Sequence, residues 1–353
     1  MRDNCSWRQG RPGRGVNSVK SLRWTAGAAL VAVGLSACGT ADPARPAVAS
    51  SPESSSSMKM GGHSKGVACP EPPRLASPPR RVVTMDGGAA AVLQRLGVAD
   101  RIVGTAAPDF FAAFTGAEAA ALATIKVLDP GQGNAEAVIA AKPDLVVGSS
   151  PYSFGGFDGT PTVDQLAKAG AKSLIACDAA QGTMRNDIAV TTTFIKQAAK
   201  VFGVEQRGAD LVAQIVASLD KVKRTSGKPV RVLALSTPPA AGQPVTARGG
   251  TGLANGVITL AGGENVAKDA LQDYASLSAE EVVRRDPEAI VVISGFSPSS
   301  DEDLLNAIRG SSVLAGTTAA KQNRFVVVPQ SILLSPSVLN GEAVAKIAEV
   351  LHR

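Results

Sequence analysis

Short apolar runs separated by helical segments recur along this chain, and that alternation restricts what it can fold into. Residues 81–85, Arg-Val-Val-Thr-Met, form a β-branched run ending in Asp86-Gly87-Gly88, a strand followed by a turn. Residues 89–96 then read as a helix stopped at Gly97, and 101–104 as the next strand. Further strands are expected at 127–128, 145–148 and 172–176, with helices over 135–141 and 163–169. Strands of four or five apolar residues, each followed by a helix, point to a parallel sheet covered on both faces.

Residues 186–224 break the rhythm, with no strand signal. Ile188, Phe194, Ile195, Ala198 and Phe202 recur at helical spacing, as do Leu211, Ile215, Val216, Leu219 and Val222. Gly203 interrupts the run, so two helices or one bent helix both fit. Alternation then resumes, with strands at 231–235, 289–293 and 324–328 and helices at 256–260, 278–285 and 340–351. The expected organisation is an N-terminal α/β lobe at 69–185, a helical connector at 186–226 and a C-terminal α/β lobe at 227–353.

The segment before residue 69 has a different character. Arg2, Arg8, Arg11, Arg14, Lys20 and Arg23 precede a short apolar stretch, and Leu35-Ser36-Ala37-Cys38 closes it with small residues. A basic start, a core of about ten apolar residues and a small-residue cut make a secretory signal too short to span a bilayer. Leu35 to Cys38 resembles the bacterial lipobox, which implies cleavage after residue 37 and lipidation of Cys38. Val16 is an alternative start, because 17–37 already holds a complete signal. Residues 38–68 are rich in Ser, Pro, Ala and Gly and read as a disordered tether with a reach of about 30 Å. Met58, Met60 and His63 there could form a soft copper site, but read more simply as linker residues.

Cleavage changes the charge balance. The 353-residue chain carries 36 Lys/Arg and 30 Asp/Glu; residues 1–37 hold six of the former and one of the latter. Thirty basic residues then face 29 acidic ones, so the net charge falls from +6 to about +1. Nothing in that composition suggests nucleic acid. Cys69 and Cys177 remain outside the signal and the lipobox, and two cysteines in an oxidising compartment most simply pair. Such a bridge would be worth about 4–5 kcal/mol on chain-entropy grounds. A zinc pair is the rival, with only His63 and His352 to complete it.

Enzyme signatures are missing. The sequence's Gly-x-Ser-x-Gly match, residues 62–66, falls in the Ser/Pro/Ala/Gly-rich stretch and not between a strand and a helix, so it is no nucleophile elbow; there is no phosphate-binding Gly-x-x-x-x-Gly-Lys-Ser/Thr loop. Residues 250–256 approach a dinucleotide fingerprint but space the third glycine one residue too far. No catalysis and no cofactor are expected.

Five segments together resemble one family. Residues 80–105 resemble the opening strand–helix–strand of substrate-binding proteins of iron-siderophore, haem and cobalamin ABC importers. Residues 134–149, 247–267, 278–294 and 323–330 are similar to later units of that family, in its order. The resemblance implies two Rossmann-like lobes with parallel sheets, joined by a long helix, with the ligand in the cleft between them. It implies a monomeric, lipid-anchored protein on the outer face of the cell membrane, passing an iron-siderophore-type ligand to an ABC importer permease. Cobalamin or haem as ligand, or a tethered scavenger without a permease, are the alternatives. A chelatase would be the enzyme to expect on this architecture. The family's docking glutamates match Ala91 and Thr259 here, with Glu264 close to the second.

Ligands of open α/β sheets bind beyond the carboxyl ends of the strands. Those ends fall at 85–88, 107–111, 149–157 and 178–185, and at 236–239, 248–251, 296–300 and 330–333. Tyr152, Phe154 and Phe157 lie in a Ser/Gly loop and suit an apolar wall. Arg248 stands between a strand-like 245–247 and a glycine pair opening a helix, a setting for an anionic group. Arg185 and Met85 complete the expected ligand-binding set, with Arg248 expected in a solvated cleft.

Overall fold

A computed structural model describes residues 69–177, 182–222 and 227–353. The signal segment, Cys38 and the tether with Met58, Met60 and His63 lie outside the described residues, as do 178–181 and 223–226.

The N-terminal half builds a five-stranded sheet from β1 (Val82–Thr84), β2 (Ile102–Ala106), β3 (Val127–Asp129), β4 (Leu145–Gly148) and β5 (Lys172–Ile175). Helices α1 (Gly87–Arg95), α2 (Gly116–Leu122), α3 (Ala135–Ala140) and α4 (Val163–Lys168) connect them. The order is β3-β2-β1-β4-β5 and every pairing is parallel. Strand order reverses between β1 and β4, which opens a crevice at their carboxyl ends. Asp86 sits there and shapes it. Its Oδ1 accepts Ala89 N–H at 2.8 Å, capping α1, and its Oδ2 accepts Ser149 N–H at 2.7 Å after β4. Burial pushes this carboxyl above the ordinary Asp value, against the pull of those donors.

The connector, whose spacing fitted two helices or one bent helix, is two helices. The first, α5 (Ala189–Phe202), ends on Gly203 at φ 68°, a left-handed conformation that stops a helix at little cost to glycine. The second, α6 (Glu205–Asp220), starts two residues later and packs on α5. The amphipathic spacing was legible across both, while the break depends on a single residue.

The C-terminal half holds β6 (Val230–Leu235), β7 (Val245–Arg248), α7 (Leu253–Leu260), β8 (Gly263–Asn265), β9 (Tyr274–Leu277) and α8 (Ala279–Arg285). It continues through β10 (Ala289–Ser294), α9 (Asp301–Arg309), α10 (Thr318–Lys321), β11 (Phe325–Pro329), α11 (Gln330–Leu333) and α12 (Asn340–Leu351). Four strands form a parallel sheet in the order β11-β10-β6-β8. β7 and β9 make a separate antiparallel ribbon. This sheet reverses order between β6 and β10, so its crevice opens beside Gly295 and Phe296.

One apolar core crosses from half to half. Val82, Leu93 and Leu145 of the first sheet, Phe194 and Ile195 of α5, Ile215 of α6, and Val232, Val291 and Val344 of the second lobe belong to a single buried cluster. Asn340 reinforces it. Fully buried, it accepts Thr191 Oγ1–H at 2.6 Å and Ser337 N–H at 2.9 Å, and donates to Ile332 O at 2.8 Å and Ser335 O at 3.1 Å. A core of this kind opposes independent motion of the two lobes. Cys69 and Cys177 are joined, with Cα atoms 5.5 Å apart at a sequence separation of 108.

Candidate functional site

The crevices of the two sheets meet where Tyr152 and Asp273 approach. After β4, Ser150 Oγ accepts Tyr152 N–H, and residues 151–153 make one 3-10 turn. Gly156 and Phe157 N–H then both return to Tyr152 O, and Thr160 Oγ1 donates to Phe157 O at 2.7 Å. These bonds hold the Tyr152 and Phe157 rings 5.8 Å apart, tilted by 35°. Tyr152 reaches over the lobe boundary, its hydroxyl 3.5 Å from Asp273 Oδ2. Burial, and after it the charge of Asp273, raise the Tyr152 phenol above its ordinary value. Tyr152 is therefore a neutral donor over the physiological range.

Phe154 and Met85 are corrections to the expected set. Phe154 is only 4% exposed and Met85 is fully buried, both in the core under the first sheet. Gly148 leaves the space that the Phe154 ring fills: a Cβ there would stand 2.6 Å from it. Both pack, and neither offers a surface to a ligand.

Arg185 is also tied into the fold. Its N–H donates to Gly250 O at 2.9 Å and its Nε to Thr251 O at 3.2 Å, while Asn255 Nδ2 donates to Arg185 O at 2.6 Å. The start of the connector is thereby fastened to the loop before α7. Its side chain serves that seam.

Arg248 differs from expectation in another way. It pairs across the ribbon with Tyr274, on the face opposite Val245, Ala247, Ala275 and Leu277, which pack into the second-lobe core. It was expected in a solvated cleft, yet it is 7% exposed. Two rings cover it: its Cζ lies 4.2 Å from the Tyr274 centroid and 5.3 Å from that of Phe296. Nη2 is buried with no hydrogen-bond partner. Tyr274 was not expected at the site, and Phe296 lay in the expected strand-end segment 296–300 without being singled out. Phe296 was within reach of sequence reasoning, since it follows β10 at a strand end. The cross-strand position of Tyr274 depends on the ribbon.

Asp273 links the two sides. Its Oδ1 accepts Thr251 Oγ1–H at 3.1 Å while its Oδ2 faces Tyr152. Tyr152 of the first lobe thus reaches Asp273, the residue before Tyr274, and Tyr274 and Phe296 cover a buried cation that lacks an acceptor. Among the described residues no group of three or more His, Cys, Asp or Glu side chains could hold a metal. None of the described helices is long and apolar enough to cross a membrane.

The positions matched to docking glutamates sit differently from one another. Ala91 is fully buried in the common core, because the whole of 87–93 in α1 is covered. Thr259 is exposed on α7, and Glu264 is ion-paired with Lys268.

Residues 82–332 match the periplasmic binding protein family, and this chain belongs to it. A cobalamin-binding protein of Halobacterium salinarum is 28% identical over 283 residues, which cover 79% of this chain and 71% of the relative. Among solved structures, an ABC-type Fe3+-hydroxamate transport protein of Saccharomonospora viridis superposes with a TM-score of 0.65 at 23% identity. That match covers 79% of this chain and 95% of the other. A periplasmic haem-binding protein of Roseiflexus sp. RS-1 gives 0.59 at 22% identity, covering 78% and 98%. The family is one of small-molecule binders in ABC import systems, which makes the chain an extracytoplasmic substrate-binding protein with two Rossmann-like lobes.

Proposed function

We propose that this protein is anchored by lipid at Cys38, captures an iron-siderophore-type ligand in the cleft and delivers it to an ABC importer permease. The observation that carries the choice of ligand is the buried Arg248 Nη2, which has no hydrogen-bond partner. A haem needs an axial ligand from the protein. His63 lies outside the described residues, and His352 Nε2 is engaged with Ala261 O at 3.0 Å. Tyr152 is the donor a haem would have to take, from a hydroxyl that stands 3.5 Å from Asp273 Oδ2. A siderophore supplies its own iron donors and offers oxygen atoms to Arg248. Permease contact falls to groups other than the buried Ala91 position.

A corrinoid is the second reading, favoured by the Halobacterium relative at 28% identity. Calorimetry and thermal shift against ferric siderophores, cyanocobalamin and haemin separate the readings. A ligand at a hundred times its dissociation constant stabilises the fold by about 2.7 kcal/mol. Stabilisation by ferric siderophores supports the proposal, and tight binding of cyanocobalamin alone reverses it. The anchor has its own test, the intact mass of membrane-extracted protein. A diacylated N-terminus at Cys38 is expected; no lipid mass would remove that part.

A further inference from the structure

Two charged side chains among the described residues are buried, Asp86 and Arg248. They are provided for very differently. Both Asp86 oxygens accept backbone N–H groups. The Arg248 guanidinium has only the faces of Tyr274 and Phe296, and no carboxylate pairs with it.

An aromatic face attracts a cation but supplies no full hydrogen-bond acceptor. The rings therefore offset part of the cost of burying the charge and leave Nη2 without a partner. Neighbouring groups do not make up the difference. Asp273 is turned to Thr251 and Tyr152, and the Thr251 carbonyl is taken by Arg185. What Arg248 lacks is an anionic oxygen brought from outside. A guanidinium presents N–H donors in a planar fork, which matches a planar carboxylate.

We propose that the ligand sets a free carboxylate against Arg248, so that this protein selects carboxylate-bearing ferric siderophores over complexes whose anionic oxygens are all bound to iron. The inference rests on the siderophore reading above and narrows it. A ferric trihydroxamate commits its anionic oxygens to the metal and offers the fork only metal-bound oxygens or neutral carbonyls, weaker partners than a free carboxylate. A carboxylate complex keeps oxygens at its periphery.

The test is titration calorimetry on full-length, detergent-extracted protein with ferric citrate, ferrioxamine B and cyanocobalamin as probes. Wild type should bind ferric citrate more tightly than ferrioxamine B. Arg248→Gln, which keeps the stem and removes the charge, should weaken ferric citrate roughly tenfold to a hundredfold, the size of a lost charge-assisted hydrogen bond. Its affinity for ferrioxamine B should stay within about twofold, well below the effect of one such bond. Arg248→Lys should recover only part of the loss. If Arg248→Gln melts early, the lysine variant carries the comparison, since it too should lose affinity for ferric citrate alone. Undiminished ferric citrate binding by a folded variant, or a wild-type preference for ferrioxamine B, overturns the inference and leaves the siderophore reading standing. Binding of cyanocobalamin and neither ferric complex overturns both.

Discussion

Tyr152 of the first lobe places its hydroxyl 3.5 Å from Oδ2 of Asp273 in the second, so a phenol and a carboxylate meet at the lobe boundary. A phenolate there would be partly desolvated and would face a negative charge. The proton is therefore released later than from free tyrosine. The chain has two tyrosines, Tyr152 and Tyr274, so absorbance titration of Tyr274→Phe reports Tyr152 alone. Its midpoint should lie above that of free tyrosine, and Asp273→Asn should bring it down. A midpoint below the ordinary tyrosine value would contradict this geometry.

Asp86 should make stability depend on pH with a sign opposite to that of an ion-paired carboxylate. Burial raises its native value, so over a window above the ordinary Asp value the folded protein keeps a proton that the unfolded chain has released. Stability therefore falls as pH rises through that window. Urea midpoints of wild type and Asp86→Asn, measured from pH 4 upward, should show wild type losing ground to the variant as pH increases. A gap moving the other way would mean that the two backbone donors outweigh burial.

Gly256 is where α7 rests on the connector. A Cβ there would lie 2.0 Å from Asp187 O, a backbone atom that cannot swing aside. Gly256→Ala should cost about 1–3 kcal/mol or more and loosen the Asn255–Arg185 bond beside it. Gly316→Ala is the control, because its nearest neighbours stand at 3.8 Å. Thermal melts of the two variants should separate clearly.

Asn340 makes four hydrogen bonds from a fully buried amide, one of them to Thr191 on α5. Asn340→Leu keeps the volume and strands those partners. A loss of roughly 3 kcal/mol is expected, since each unsatisfied buried group costs about 1–3 kcal/mol. It should appear as a lower urea midpoint with an unchanged slope.

Much of the architecture was legible because buried parallel strands advertise themselves. Val82-Val83, Leu145-Val146-Val147 and Ile290 to Ile293 are apolar on both faces, as a covered sheet requires. β8 gave no such signal. Gly263, Glu264 and Asn265 form a strand because β6 pairs with them and Asn265 Nδ2 bonds to Arg248 O. α9 went unread because its sequence is acidic and largely exposed, with only Ser300 marking its start. The site was legible in its loops and less so in its side chains. A phenylalanine in a Ser/Gly loop looks the same whether it faces a ligand or, like Phe154, fills the space above a glycine. The burial of Arg248 depends on Tyr274 and Phe296, which only the tertiary fold brings to it.

The Cys69–Cys177 bridge also decides how the protein would bear a pull. Every strand of the first sheet lies between the two cysteines, inside the covalent loop. Tension on the chain ahead of Cys69, resisted at the connector or beyond, runs through the sulfur–sulfur bond to Cys177 and bypasses residues 70–176. The crevice at Asp86 and the Tyr152 loop thus stand outside the line of force. With both cysteines reduced, the same load would enter at β1, which has three residues and sits in the middle of its sheet. The bridge acts as a mechanical shunt that shields the first lobe from any load applied to the chain ahead of it.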